Sequence, residues 1–481
     1  MAWHDRTMEL DRSTDYTWTI PRSGGMRVPG VVFASESLIV MAREDRAVDQ
    51  VANVAHLPGI VGASYAMPDI HWGYGFPIGG VAATDVDDGG VVSPGGVGFD
   101  ICCGVRLLSS HLTAADFTRH GARIMAGLDA RTPRGTGKGG IALRDLLDDV
   151  LEHGARAALD AGYGTARDLD RCEEFGTSAG GGPDLVSPQA RQRGGGQLGS
   201  LGAGNHFLEV QVVDRILDDV AAQAFGLRLG TLTVMIHCGS RGLGHQTCQD
   251  QLKVMGPAMA RHGITVPDRQ LACVPVNSPE GRAYLGAMAT AANFAWANRH
   301  ILAHEARQAF AAALRTSPDN LGLDLVFDVA HNLAKLETHV VAGEPKKLCI
   351  HRKGATRAFG PDHPDLPGGL REVGQPVLVP GSMGTASWVL RGVTGNPAFD
   401  SAAHGAGRLM SRSAAKRRAT GADVRKELET AGIAIRPGSV KLLAEEAPYA
   451  YKDVDEVARV CEAAGLAARV ARLRPIGVVK G

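Results

Sequence analysis

The chain has 481 residues, with 51 Lys+Arg against 51 Asp+Glu, so no overall basic field marks it as a binder of nucleic acid and any polyanion site has to be a local patch. An apolar content of 44% with 21% charged residues is that of a folded globular chain with ample core, not of a disordered one. The opening MAWHDRTMEL has no apolar stretch after a basic start, and no run reaches the roughly 18 apolar residues that span a bilayer. A cytoplasmic protein without a membrane span is therefore expected.

The eight cysteines contain no C-x-x-C pair, which sets aside zinc-finger and thioredoxin-like readings and points to reduced thiols. Only Cys102 and Cys103 sit in a ligand-like setting. Glycine, at 62 residues, is nearly twice as frequent as the usual share of about 7%, and it gathers in short clusters beside polar residues. Such clusters suit loops whose backbone N–H groups face an anion.

In chain order, helical periodicity covers 37–56 and stops before Pro58-Gly59. MPDIHWGYGFPIGG, residues 67–80, reads as a site wall or a tight turn, with His71 structural. A second helix is expected over 142–161, ending at Gly162. Residues 163–204 are polar and glycine-rich, a long functional or mobile loop whose 163–200 portion is the one linker candidate. Buried strands are expected at 231–236 and 323–329, with helices over about 243–262 and 279–314 between them. Strands follow at 376–379 and 386–390, then a helix over 401–418 and a mixed tail ending IGVVKG. Helices and strands mix without a βαβ rhythm, which makes the class α+β. Chemistry-bearing residues flank 163–200 on both sides, so one catalytic domain over 1–481 is expected.

Four segments place metal-type ligands at strand ends or turns. GGVGFDICCGVR (95–106) sets Asp100 and Cys103 three apart between glycines, although alone it also reads as a buried strand with an N-cap aspartate. LGAGNHFLEVQ (201–211) brings Asn205, His206 and Glu209 after glycines. MIHCGSRGLGHQ (235–246) runs a strand into His237 and surrounds Ser240 and Arg241 with glycine, like an anion nest. FDVAHN (327–332) runs another strand into His331 and Asn332. A single histidine at a strand end is more often a core residue, but the repetition resembles an Asp/Cys/His₃ dinuclear site. Its mixed O, N and S donors fit Mn²⁺, Co²⁺, Fe²⁺ or Zn²⁺ better than Mg²⁺.

HGAGRLMSRSAAKRR (404–418) spaces His404, Arg408, Arg412 and Lys416 four apart, which on a helix lines them along one face. A solvated basic face is the plain explanation. The other is a histidine nucleophile beside cations that hold phosphates, since an imidazole is largely unprotonated near neutral pH. HRKGATRA (351–358), with His351, Arg352, Lys353 and Arg357, and the PGSMGTAS turn (380–387) add phosphate-handling character.

Taken in this order, the motifs from MPDIHWGYGFPIGG to the terminal Lys480-Gly481 resemble the RtcB family of RNA ligases over nearly the whole chain. The resemblance implies an RtcB-like fold with mixed sheets around a metal cleft. It implies two Mn²⁺ ions bridged by Cys103, with His237 and His331 on one and Asp100 and His206 on the other. His404 would carry GMP. Asn205, Phe207, Glu209, Asn332, Ser382, Ser387, Gly405, Ala406, Gly407, Arg408, Tyr451 and Lys480 would surround GTP, with Glu209, Tyr451 and Lys480 reading or holding the guanine. Arg193, Arg241, Lys353, Arg408 and Arg412 would contact RNA phosphates. The implied reaction joins a 2′,3′-cyclic phosphate or 3′-phosphate end to a 5′-hydroxyl, in RNA repair or tRNA splicing, by a monomer that an archease-type protein assists. The weaker alternatives are a dinuclear metal phosphoesterase and a non-catalytic RNA-binding protein. Cys102 departs from the family, which often has Asn or another polar residue there, and its thiol is a potential competitor for metal.

Overall fold

Two mixed sheets and one 36-residue helix, Pro279–Leu314, organise this α+β chain. The structure is a computed structural model that describes residues 9–135, 137, 140 and 144–481. The N-terminal octapeptide and the first residues of the helix expected over 142–161 lie outside them.

The first sheet has seven strands, in spatial order Asp11–Thr14, Thr17–Ile20, Gly30–Phe33, Ile60–His71, Ile78–Asp85, Glu344–Lys353 and Asn332–Val341. The second is built on Asp324–Ala330, Gly104–Thr113, Thr231–Cys238, Phe207–Ile216, Ala468–Lys480, Ser387–Arg391 and Pro376–Val379, all antiparallel to their neighbours. Ala434–Pro437 adds a parallel strand beside Ala468–Lys480. His331 joins the two sheets, between strand Asp324–Ala330 of one and Asn332–Val341 of the other.

Every residue of Thr231–Cys238 (TLTVMIHC) is buried, because both faces of its sheet are covered. Leu232, Val234 and Ile236 pack with Leu302, Ala306 and Phe310 of the long helix. Met235 faces the other way, with Val105, Leu107, Phe207 and Val329. A strand covered on both sides loses its polar alternation and reads as a continuous apolar run. Each large side chain buried this way contributes about 1.5–3 kcal/mol. The long helix starts cleanly: Ser278 caps it by accepting the Gly281 N–H at 3.0 Å, with Pro279 in the first turn.

Several elements differ from expectation. The helix expected over 37–56 is two, Glu36–Glu44 and Ala47–Val54, broken where Arg46 takes φ 63° and Asp45 caps the Ala47 N–H. Gly154, at φ 58°, likewise splits Leu147–His153 from Ala155–Asp160. The 163–200 stretch contains short helical turns, among them Ala166–Asp170 and Pro188–Gly194, and is tied to the long helix. Asn293 there accepts the Ser178 N–H at 2.7 Å and donates to Leu151 and Ser178 carbonyls, and Arg307 pairs with Asp168.

The helix over 401–418 is a correction. Ser401–Ala403 is a strand paired with Ala355–Arg357, residues 404–411 turn, and only Arg412–Arg418 is helical. Glycine decides the matter: Gly407 holds φ 73°, and a Cβ there would stand 2.2 Å from the Asp69 carbonyl oxygen. The four-residue spacing of basic groups therefore does not form a helical face. No helix among the described residues is long and apolar enough to cross a membrane.

Candidate functional site

The strand registers bring the expected ligands to one end of the second sheet. Gly104 pairs with both Cys238 and Ala330, and His237 with both Val105 and Phe207. Cys103 and His206 therefore just precede their strands, His237 lies one residue from the end of its strand, and His331 just follows its own. Side chains alternate along a strand, so Cys103, His237 and His331 fall on the face that Val105, Met235 and Val329 share. The same apolar layer that fills the core thus ends in donor atoms.

Two groups of donors share Cys103: Cys103 with His237 and His331, and Asp100 with Cys103 and His206. Cys103 Sγ lies 3.3 Å from His237 Nε2 and 3.5 Å from His206 Nε2. His237 Nε2 is 3.4 Å from His331 Nε2, and His206 Nε2 is 2.9 Å from Asp100 Oδ2. Ligands held about 2.0–2.3 Å from one ion stand roughly this far apart, so the donors fit a pair of transition-metal ions with a shared thiolate. Burial pushes the pKa of His237 and His331 well below the ordinary imidazole value, toward the neutral ligand form. Burial also opposes charge on His206, but the thiols of Cys238 and Cys103 and the Asp100 carboxylate outweigh it and raise its pKa. Burial would raise Asp100, yet its hydrogen bond to His206 and that ring's charge bring it down to about 2. The Cys103 thiol is pushed up to about 12 by burial, so metal binding there releases a proton. Outer contacts fix the rings and carboxylate: His206 Nδ1 meets the Leu201 carbonyl at 3.0 Å, and Asp100 Oδ1 accepts the Ser240 N–H at 3.0 Å. Cys102 takes φ 55°, and its Sγ lies 3.8 Å from Arg299, in neither donor group.

His404 stands beside this cluster, its ring centroid 4.8 Å from that of His331. Its Nδ1 lies 2.6 Å from Oδ2 of the fully buried Asp69, without the alignment of a hydrogen bond. The same oxygen accepts the N–H groups of His404 (3.0 Å) and Gly405 (3.2 Å). Asp69 is a residue the sequence reading passed over. Its signal lay in the MPDIHWG stretch, because a nucleophilic imidazole calls for a carboxylate to orient it.

Cys103, His237, His331 and His404 open into a cavity of about 250 Å³. Asp100, Asn205, Phe207, Asn332, Ser382, Gly405, Ala406, Gly407, Arg408, Arg412, Tyr451 and Lys480 also line it. Asn332 bridges both sheets, donating to the Asp100 carbonyl at 3.0 Å and accepting the Gly354 N–H at 2.9 Å. Lys480 donates to the carbonyls of Gly204 and His206, which brings the C-terminal strand onto the wall. Glu446, also missed, is the hub opposite: it accepts from Arg408 (3.1 Å), Arg412 (3.0 Å) and the Tyr451 hydroxyl.

Other expected residues lie off the wall. Glu209 is buried behind it, beside Gln211, and burial raises its pKa to about 8. Ser387 braces the 380–387 turn, accepting from Gly381 N (3.2 Å) and Gln211 (3.0 Å). Arg193 bonds Gln246, and Arg241 bonds the Gly135 carbonyl. Lys353 is buried on the Tyr74 and Phe76 carbonyls, and burial brings its pKa down to about 7. Arg352 pairs with Glu337, and Arg357 with Glu173 and Glu174. The basic run 351–358 is thus spent inside the fold.

A sequence profile described as tRNA-splicing ligase RtcB matches residues 50–481. The RNA-splicing ligase RtcB of Mycobacterium tuberculosis is 58% identical over 436 residues, which cover 90% of this chain and all of that protein. The tRNA-splicing ligase RtcB of Archaeoglobus fulgidus is 53% identical over 478 residues, 98% of this chain and 99% of that one. That of Thermococcus kodakarensis is 51% identical over 477 residues, with the same coverage. The chain belongs to the RtcB family.

Proposed function

We propose that the chain is a GTP-dependent RNA ligase that joins a 2′,3′-cyclic phosphate or 3′-phosphate end to a 5′-hydroxyl end, working as one catalytic domain. The observation that supports this most is the imidazole of His404, which lies on the cavity wall against His331 with a buried carboxylate at Nδ1. A phosphoesterase built on the Cys/His/Asp donors alone has no need of it.

In this reading His404 Nε2 attacks the α-phosphorus of GTP, the bond to pyrophosphate breaks, and GMP rests on the ring. Asp69 holds the His404 backbone, faces Nδ1 and balances the positive charge the ring acquires. Arg408 and Arg412 face the phosphates, and a base seated toward Tyr451 and Lys480 meets a hydroxyl and an ammonium suited to guanine. A water opens the cyclic phosphate, and the resulting RNA 3′-phosphate oxygen takes GMP from His404. The 5′-hydroxyl of the second RNA then attacks that activated phosphorus, and GMP leaves. Two Mn²⁺ ions held by Asp100, Cys103, His206, His237 and His331 supply electrostatic stabilisation of the phosphate oxygens.

The test is a joining assay with two RNAs, one ending in a 2′,3′-cyclic phosphate and one starting with a 5′-hydroxyl, in Mn²⁺ and GTP. A joined product that needs GTP and disappears in His404→Ala is expected. Opening or removal of the phosphate without joining would replace the ligase with a phosphoesterase.

A further inference from the structure

We propose that Arg299 is a positioning residue that sets the spacing of the Cys103/His237/His331 donor group, an inference that rests on the metal reading of that group. Arg299 projects from the long helix and is fully buried. Its Nη1 donates to the carbonyls of Cys102 (2.8 Å) and Cys238 (2.9 Å). Its Nε and Nη2 hold the Asp328 carboxylate at 2.9–3.0 Å. Cys102 adjoins Cys103, Cys238 adjoins His237, and Asp328 lies three residues before His331 on its strand. One planar guanidinium therefore grips all three segments that supply the group.

The surroundings are shaped for this grip. Gly104, next to Cys103, lets both the neighbouring strand and the guanidinium come close: a Cβ there would stand 2.5 Å from the Val329 carbonyl oxygen and 3.1 Å from Arg299 Cζ. Arg106 Nε bonds Oδ2 of Asp328 at 2.6 Å, so the carboxylate is fixed from one neighbouring strand and the long helix. Burying such a cluster is costly, and apolar side chains of similar volume would fill the space as well. What they could not do is hold two backbone carbonyls and a carboxylate at once, which needs donors in a rigid fork. Asp100 and His206 have supports of their own, the Ser240 N–H and the Leu201 carbonyl, that do not involve Arg299. Cys103 is common to both groups, but both histidine segments that Arg299 grips belong to the Cys103/His237/His331 group, so its influence falls chiefly there.

Arg307 provides a matched control. It lies on the same helix, is buried, and forms a two-bond pair with Asp168 at 2.7 Å; its Nε bonds the Leu323 carbonyl at 2.8 Å, at the far end of the strand from His331. The experiment titrates Co²⁺ into the metal-free full-length protein, for wild type, Arg299→Lys and Arg307→Lys. It follows the visible cobalt bands and the thiolate-to-cobalt absorption, together with metal-free thermal unfolding. Arg299→Lys is expected to fold, to bind one of two cobalt equivalents about tenfold or more weakly, and to show altered cobalt bands. Arg307→Lys is expected to lose stability yet keep the wild-type spectrum and affinities. The proposal is overturned if Arg299→Lys titrates as wild type, if Arg307→Lys shifts the cobalt signal equally, or if Arg299→Lys does not fold. A wild type with no thiolate-to-cobalt absorption overturns the metal reading itself.

Discussion

Asp69→Asn tests how His404 is held. The native carboxylate is fully buried, receives two backbone N–H groups on Oδ2 and faces His404 Nδ1 at 2.6 Å. An asparagine oxygen in the same place can still accept both N–H groups but without charge. A hydrogen bond to a charged group contributes about 1.5–3 kcal/mol and a neutral one about 0.5–1.5, so the two bonds together weaken by roughly 2 kcal/mol. The larger effect is on the reaction. Without a carboxylate the ring loses the negative charge that faces Nδ1 and balances the charge it gains at the phosphorus. Losing such a partner costs about 10²–10⁴ in rate, or about 3–5 kcal/mol of barrier. The assay is single-turnover formation of the protein–nucleotide adduct from labelled GTP and Mn²⁺, with GTP affinity and thermal unfolding measured alongside. The expected variant folds and binds GTP near the wild-type affinity but forms adduct at least about 100-fold more slowly. A folded Asp69→Asn protein that labels at the wild-type rate refutes the assigned role.

Because both donor groups use Cys103, Cys103→Ala should lose both metals together, as counted by elemental mass spectrometry after gel filtration; retention of one full equivalent contradicts the bridge. Gly407→Ala should cost about 1–3 kcal/mol of stability and suppress adduct formation, since φ is 73° and the added Cβ would meet the Asp69 carbonyl oxygen at 2.2 Å; a normal melt and rate refute this. Burial brings Lys353 down to about 7, so between there and the ordinary lysine value near 10.4 the unfolded chain binds more protons than the folded one. Stability therefore gains from Lys353 as pH rises through that window, and Lys353→Met should show a smaller rise than wild type in urea unfolding at about pH 6.5 and about pH 9. Lys452 and Lys480, both brought down to about 8 by burial, act in the same direction in both proteins and cancel from the comparison. Equal rises in the two proteins refute the assignment.

The metal-type residues were legible because Cys103, His206, His237 and His331 lie within one residue of the end of an apolar strand, where period-two patterning still says which face a side chain takes. The strand expected at 376–379 and the helix expected over about 279–314 are both present, as Pro376–Val379 and Pro279–Leu314. The basic clusters misled for a physical reason. Whether an arginine can reach a phosphate depends on where the fold puts it: Arg352 and Arg357 are buried on Glu337, Glu173 and Glu174, whereas Arg408 and Arg412, though paired with Glu446, line the cavity. The spacing His404–Arg408–Arg412–Lys416 looked helical, but Gly405 and Gly407 let the chain turn against Asp69 instead. Arg299 gave no local signal, since it sits in an alanine-rich helix and its meaning comes only from three distant chain segments converging on it.

The most direct measurement is residue-level mapping of nucleotide attachment. The protein is incubated with α-labelled GTP and Mn²⁺, digested, and its labelled peptide sequenced by mass spectrometry. The account requires an acid-labile, alkali-stable GMP on His404, absent from His404→Ala and not formed from ATP. Label on another side chain, label that survives His404→Ala, or equal labelling by ATP contradicts it.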